Sequence, residues 1–164
     1  GFLHARPAQV ELLRPLALGM GSFQRFNIET GELVLHPGAR RFEWGTQNEA
    51  LFFALGRAVE FVDAIGVGRI FNHNHGLAER FYRGLGEMPN VELVSPQEEA
   101  WRTPMIGFRM RNHTFREIGE HLTKDRIRVR TVTEGGLNSL RVSFGVCNHD
   151  GEVTAILESL KKLA

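Results

Sequence analysis

The stretch IRVRTVTEGGLNSLRVSFGVCNHDGEV, residues 127–153, decides the fold. Ile127–Val132 alternates apolar residues against Arg128 and Arg130, the period of a strand with one buried face. Gly135-Gly136 interrupts that pattern. Asn138–Gly145 resumes it, with Leu140, Val142 and Phe144 on one side and Arg141 and Ser143 on the other. From about Asp150 the period lengthens, and Val153, Ile156, Leu157, Leu160 and Leu163 fall at helical spacing.

Working outward, Thr114–Lys124 reads as a helix capped by Thr114, and Val91–Val94 and Met105–Arg111 read as strands. The second half is therefore β-β-α-β-β-α. This predicts an α+β fold, with helices on one face of a small, largely antiparallel sheet. Two long helices precede it. Across Gln47–Ile65 the residues Glu49, Gly56, Glu60 and Asp63 form one narrow stripe and the rest is mostly apolar, so that helix should be buried on most sides. Gly68–Met88 carries Ile70, Leu77, Phe81 and Leu85 as its apolar face. Residues 15–41 are rich in glycine and weakly patterned, with a hairpin expected between Phe26–Ile28 and Leu33–Leu35. Pro7 starts a short helical turn through Leu13, and Gly1–Arg6 reads as the end of a strand.

The chain has 164 residues, and its net charge of +1 comes from 20 basic and 19 acidic residues spread along its length. Such a balance offers no basic block to grip nucleic acid. Apolar runs are broken well before the roughly 18 residues of a membrane span, and the N-terminus lacks the pattern of a signal peptide. A single cysteine, Cys147, excludes an internal disulfide framework, and no Cys/His spacing suits a metal. These features point to a reducing, cytoplasmic location without nucleic-acid or membrane partners.

Two places could carry chemistry. In FEWGTQN, residues 42–48, Gly45-Thr46 stands at the mouth of a helix. Thr46 can act as a plain cap for the first turn, or the free N–H groups there can hold an anion such as phosphate. Arg141 sits on the strand face opposite the core. It is either a solvated surface arginine or a rigid clamp that grips a carboxylate through two parallel hydrogen bonds. His73 and His75 lie about 200° apart on a helix and cannot share a metal. The other histidines are scattered, and Gly135-Gly136 is too short to be a phosphate loop.

Read in order, GFLHARPAQVELLRPL at 1–16, RRFEWGTQN at 40–48 and the 127–153 stretch resemble the C-terminal part of class V aminotransferases. This is the fold-type I pyridoxal-phosphate-dependent family that includes cysteine desulfurases, kynureninases and isopenicillin N epimerase-like proteins. The resemblance implies that residues 1–45 are the tail of the large cofactor domain and an interdomain or dimer segment. Residues 46–164 would form the C-terminal small α+β domain. Gly45 and Thr46 match the turn that binds the phosphate of pyridoxal 5'-phosphate across a homodimer interface. Arg141 matches the arginine for the α-carboxylate of an amino-acid or amine substrate, with Ser143 as its support. Asn148 and Glu152 match the entry into the last helix and are read as caps.

The departures from the family pattern also carry expectations. The loop TVTEGGLNS holds no cysteine where desulfurases carry their nucleophile, and Cys147 follows the strand, so a protein persulfide is disfavoured. Transamination, epimerisation or a C–S or C–N lyase reaction is retained. The resemblance implies a Schiff-base lysine upstream of Gly1, in an N-terminal cofactor domain; the chain's own lysines, Lys124, Lys161 and Lys162, all lie in the last third and match no such position. No residue of this chain is therefore assigned a catalytic role. The competing reading is a non-catalytic α+β interaction or dimerisation module derived from the same fold.

Overall fold

In a computed structural model that describes residues 3–163, the alternation around Arg141 becomes β6 of a four-stranded sheet. In chain order the elements are α1 (Pro7–Val10), β1 (Phe23–Phe26), β2 (Leu33–Leu35), α2 (Glu49–Ile65), α3 (Val67–Gly86), β3 (Val91–Leu93), β4 (Met105–Met110), α4 (Phe115–Lys124), β5 (Arg130–Val132), β6 (Ser139–Ser143) and α5 (Asp150–Lys161). The contacts divide the chain into two units between Val59 and Glu60, inside α2.

The unit from Glu60 onward is α+β. Its sheet runs β3-β4-β6-β5, antiparallel throughout. Ile106, Phe108, Leu140 and Val142 point from β4 and β6 into a core completed by Leu77, Phe81 and Leu85 of α3, Ile118 and Leu122 of α4, and Val153, Ile156 and Leu160 of α5. Phe81 meets Phe108 and Phe144 edge-on, with ring centroids 5.9 and 5.6 Å apart, the geometry favoured by the ring quadrupoles. Helices α3 and α5 approach so closely at Gly84 that a Cβ there would stand 2.5 Å from Leu157 Cδ1. Glycine permits this crossing.

Local chemistry sets the element ends. Thr114 caps α4 through a capping box with Glu117. At α5, His149 Nδ1 accepts the Gly151 N–H while Glu152 Oε2 accepts the His149 N–H at 3.0 Å. Arg126 has a φ of 62°, and the Ile127 N–H turns back to the Leu122 carbonyl, so β5 starts only at Arg130. Ile127 and Val129 still pack on the core. The strand expected to reach Gly145 ends at Ser143, because the Phe144 N–H bonds to Pro104 O outside the regular ladder.

The unit up to Val59 differs from the expected pattern in several details. Helix α1 stops at Val10 instead of Leu13, and residues 3–6 form no strand; Gly1 and Phe2 lie outside the described residues. The hairpin pairs Phe23 with Leu35 and Phe26 with Leu33, earlier than expected. Asn27 explains the shift: its Oδ1 accepts the Glu29 and Thr30 N–H groups and closes the turn directly after Phe26. Helix α2 has no buried residue, with Phe53 77% and Leu51 67% exposed, so the expected burial is not met among the described residues. No helix here is long and apolar enough to cross a membrane.

Candidate functional site

The solvent face of the four-stranded sheet is built by the same alternation that fills its core. Arg141, on β6, stands between Gly107 of β4 and Arg130 of β5. Gly107 presents no side chain beside it. Arg141 is exposed, and its guanidinium has no hydrogen-bond or ion-pair partner among the described residues. Arg128, Arg130, Arg141 and Ser143 line one cleft of about 410 Å3. The face is strongly basic.

Two arginines fasten the turn between β5 and β6 beside this cleft. Arg130 Nη2 donates to Glu134 Oε1 at 2.7 Å, and Arg109 Nε donates to Leu137 O at 2.8 Å. Arg109 also pairs with Glu92 at 3.1 Å. The turn contains left-handed Gly135, Gly136 and Asn138. The Glu134 carboxyl is held below the usual carboxylate range, first by its own backbone N–H, then by Arg130 and the Thr133 N–H.

Gly45 and Thr46 belong to the unit up to Val59. Helix α2 is capped by Asn48, whose Oδ1 accepts the Leu51 N–H at 3.3 Å. Thr46 is thus not the cap expected from sequence; it lies two residues before it. Both Gly45 and Thr46 are exposed, Gly45 O accepts Gln47 Nε2 at 2.9 Å, and the Thr46 hydroxyl and N–H have no partner among the described residues. A buried Ser22 supports the chain just upstream. Its Oγ donates to Glu43 O and accepts the Gly19 N–H, both at 3.1 Å.

The remaining candidates take structural parts. Asn148 Oδ1 accepts the Gly145 N–H and its Nδ2 donates to Glu152 Oε2, which ties the end of β6 to the mouth of α5. His73 Nε2 lies 2.9 Å from Asn148 O, and His75 stacks on Phe71. Among the described residues no three His, Cys, Asp or Glu side chains converge as metal ligands. Cys147 is a free, exposed thiol beyond β6. Lys162 donates to Asp125 at 3.1 Å, and Lys124 and Lys161 end α4 and α5. Arg128, Arg130 and Glu134 belong to no motif that singles them out as site residues in the sequence. Alternation with Ile127 and Val129 sets both arginines away from the core, but only the pairing of Arg130 with Arg141 and the lining of the cleft bring them beside Arg141.

The family model for aminotransferase class-V matches residues 1–156. A cysteine desulfurase from Serratia proteamaculans (strain 568) is 27% identical over 172 residues, covering 99% of this chain and 41% of its own length. Another, from Cronobacter sakazakii (strain ATCC BAA-894), is 36% identical over 131 residues, 80% of this chain and 31% of its own. Among solved structures, apo cysteine desulfurase from Thermococcus onnurineus NA1 superposes with a TM-score of 0.85 at 23% identity, over 96% of this chain and 41% of that one. The chain thus spans well under half the length of these relatives. With a match that runs from the first residue through most of α5, on a fold that the solved structures share, this chain belongs to the aminotransferase class-V family.

Proposed function

We propose that this chain is the substrate-side and phosphate-side portion of a pyridoxal-phosphate-dependent class V enzyme acting on an amino acid or amine. The observation that carries the reading is Arg141: a guanidinium without a partner, held by a strand inside a sheet and open to a cleft. Such a group binds a carboxylate through paired, charge-assisted hydrogen bonds and fixes its orientation. Gly45 and Thr46 fit the phosphate. Thr46 is exposed and offers a hydroxyl and an N–H donor, and Ser22 braces the chain that leads to it. Pyridoxal phosphate, when bound, supplies the electron sink for bond breaking at the substrate Cα. The protein residues named here hold and orient; none of them moves a proton.

The relatives are cysteine desulfurases, yet the connection from Thr133 to Asn138 contains no cysteine and Cys147 lies outside it. Transamination, epimerisation or a C–S or C–N lyase reaction without a protein persulfide fits that composition better. We assign the enzyme to the cytoplasm and to a homodimer, with Thr46 serving the neighbouring subunit's phosphate. Residues 1–45 then form the tail of the large domain and 46–164 the small domain. In the complete enzyme, Arg141→Gln should raise KM for the amino acid about ten- to a hundredfold, the value of a lost hydrogen bond to a charged partner. An unchanged KM overturns the assignment. Exposed apolar residues on α2 favour a second reading, a dimerisation module without catalysis, under which Arg141→Gln and Thr46→Ala leave function untouched.

A further inference from the structure

The basic cleft holds more positive charge than one carboxylate can use. Arg130 and Arg141 face each other across β5 and β6, and like charges directly opposed on one sheet face repel. Glu134 offsets Arg130 at 2.7 Å. Arg128 and Arg141 line the same cleft with no acidic partner among the described residues, and the Ser143 hydroxyl stands with them. Arg128 lies two residues before Arg130, in the segment that leads into β5, and lines the same cleft as Arg141. A small dicarboxylate can answer two guanidinium groups that line one cleft, one carboxylate to each. A ligand with one carboxylate engages Arg141 and leaves Arg128 unanswered.

We propose that this cleft takes a dianion: a small amino acid whose side chain ends in a second carboxylate. The α-carboxylate sits on Arg141, the side-chain carboxylate on Arg128, and Ser143 donates its hydroxyl between them. Arg130 stays committed to Glu134 and sets the shape of the cleft wall. The proposal rests on the reading of Arg141 as the carboxylate-binding residue and adds the substrate class. It follows from guanidinium chemistry, since each planar fork is matched to one carboxylate and both forks line one cleft, Arg141 from β6 and Arg128 from the segment before β5.

The test titrates succinate and propionate into the 164-residue chain at constant ionic strength, which equalises screening. Binding is followed through the arginine Nε–H signals by NMR, in the unsubstituted chain and in Arg128→Gln and Arg141→Gln. All three side chains involved are exposed, and a matching thermal melt shows that each variant is folded. Succinate should bind about tenfold more tightly than propionate, the worth of one further charge-assisted contact. Arg128→Gln should erase that preference and leave propionate affinity in place; Arg141→Gln should abolish both. Equal affinity for the two ligands, or a preference that survives Arg128→Gln, overturns the dianion proposal while Arg141 keeps its role. If Arg141→Gln changes neither affinity, the carboxylate reading itself fails.

Discussion

Arg102 carries a buried charge that four hydrogen bonds satisfy. Its Nε donates to Glu79 Oε1 at 2.7 Å, Nη2 to Glu79 Oε2, and Nη1 to the carbonyls of Pro96 and Gln97. The guanidinium also lies 4.0 Å from the Tyr82 ring centroid. The residue fastens the segment before β4 to α3. Removing one partner strands the other charge, so Arg102→Met should destabilise the fold by about 3–5 kcal/mol. Adding Glu79→Leu to that variant should restore most of the loss, and urea unfolding of the two measures it. Hydrogen bonds from Arg102 hold the Glu79 carboxyl below the usual carboxylate range, against the opposing effect of burial. Folded protein therefore binds that proton less readily than unfolded chain. The stabilisation is complete above the ordinary carboxylate range and is lost as pH falls through the lowered value. Glu79→Gln should flatten that part of the acid-unfolding profile. Neither residue was legible in the sequence, because a pair 23 positions apart with one member in a loop leaves no period to read. Arg141 was legible: its outward direction follows from the alternation of Leu140, Val142 and Phe144.

Helix mouths show what an element's pattern can and cannot specify. Thr114 caps α4 as read, and the structure adds a capping box with Glu117 three residues on. Thr114→Ala should cost about 1 kcal/mol, seen as a lower denaturation midpoint with an unchanged slope. At α2 the pattern fits two starts, since Thr46 and Asn48 are both good caps and the apolar run begins after either. Geometry decides for Asn48. Asn48→Ala should therefore speed amide exchange in the first turn of α2, and Thr46→Ala should leave it unchanged; the reverse result would return the cap to Thr46. The short β5 has a similar cause. Ile127 and Val129 point inward as the alternation requires, but the turn at Arg126 keeps their backbone out of the ladder. Period two reports a side chain's face, and hydrogen bonding to a neighbour requires more than that.

For the whole molecule, the distribution of burial matters more than any single contact. The unit from Glu60 onward closes a core drawn from α3, α4, α5 and the sheet. Before Val59, only Val10 and Ser22 are buried among the described residues, which is too little apolar area to offset chain entropy. Helix α2 exposes Leu51, Phe52, Phe53, Val59 and Phe61. Apolar side chains exposed in this number on one helix are the kind of surface that interfaces cover. The Serratia relative is matched over only 41% of its length, so a covering segment of the same polypeptide or of a second copy fits the proposed function. Sequence read this helix as one to be buried, and correctly described its composition; what covers it has no signature in these residues. Hydrogen exchange tests the argument. In the isolated monomeric chain, amides of β4, β6, α3 and α5 should exchange slowly and those of α2 and the β1–β2 hairpin quickly. On the proposed function, α2 should become protected by at least tenfold in the complete protein, as burial of its apolar side chains stops local opening. If α2 in the monomeric chain already exchanges as slowly as α3, the helix is stable without a partner and the case for a covering segment falls.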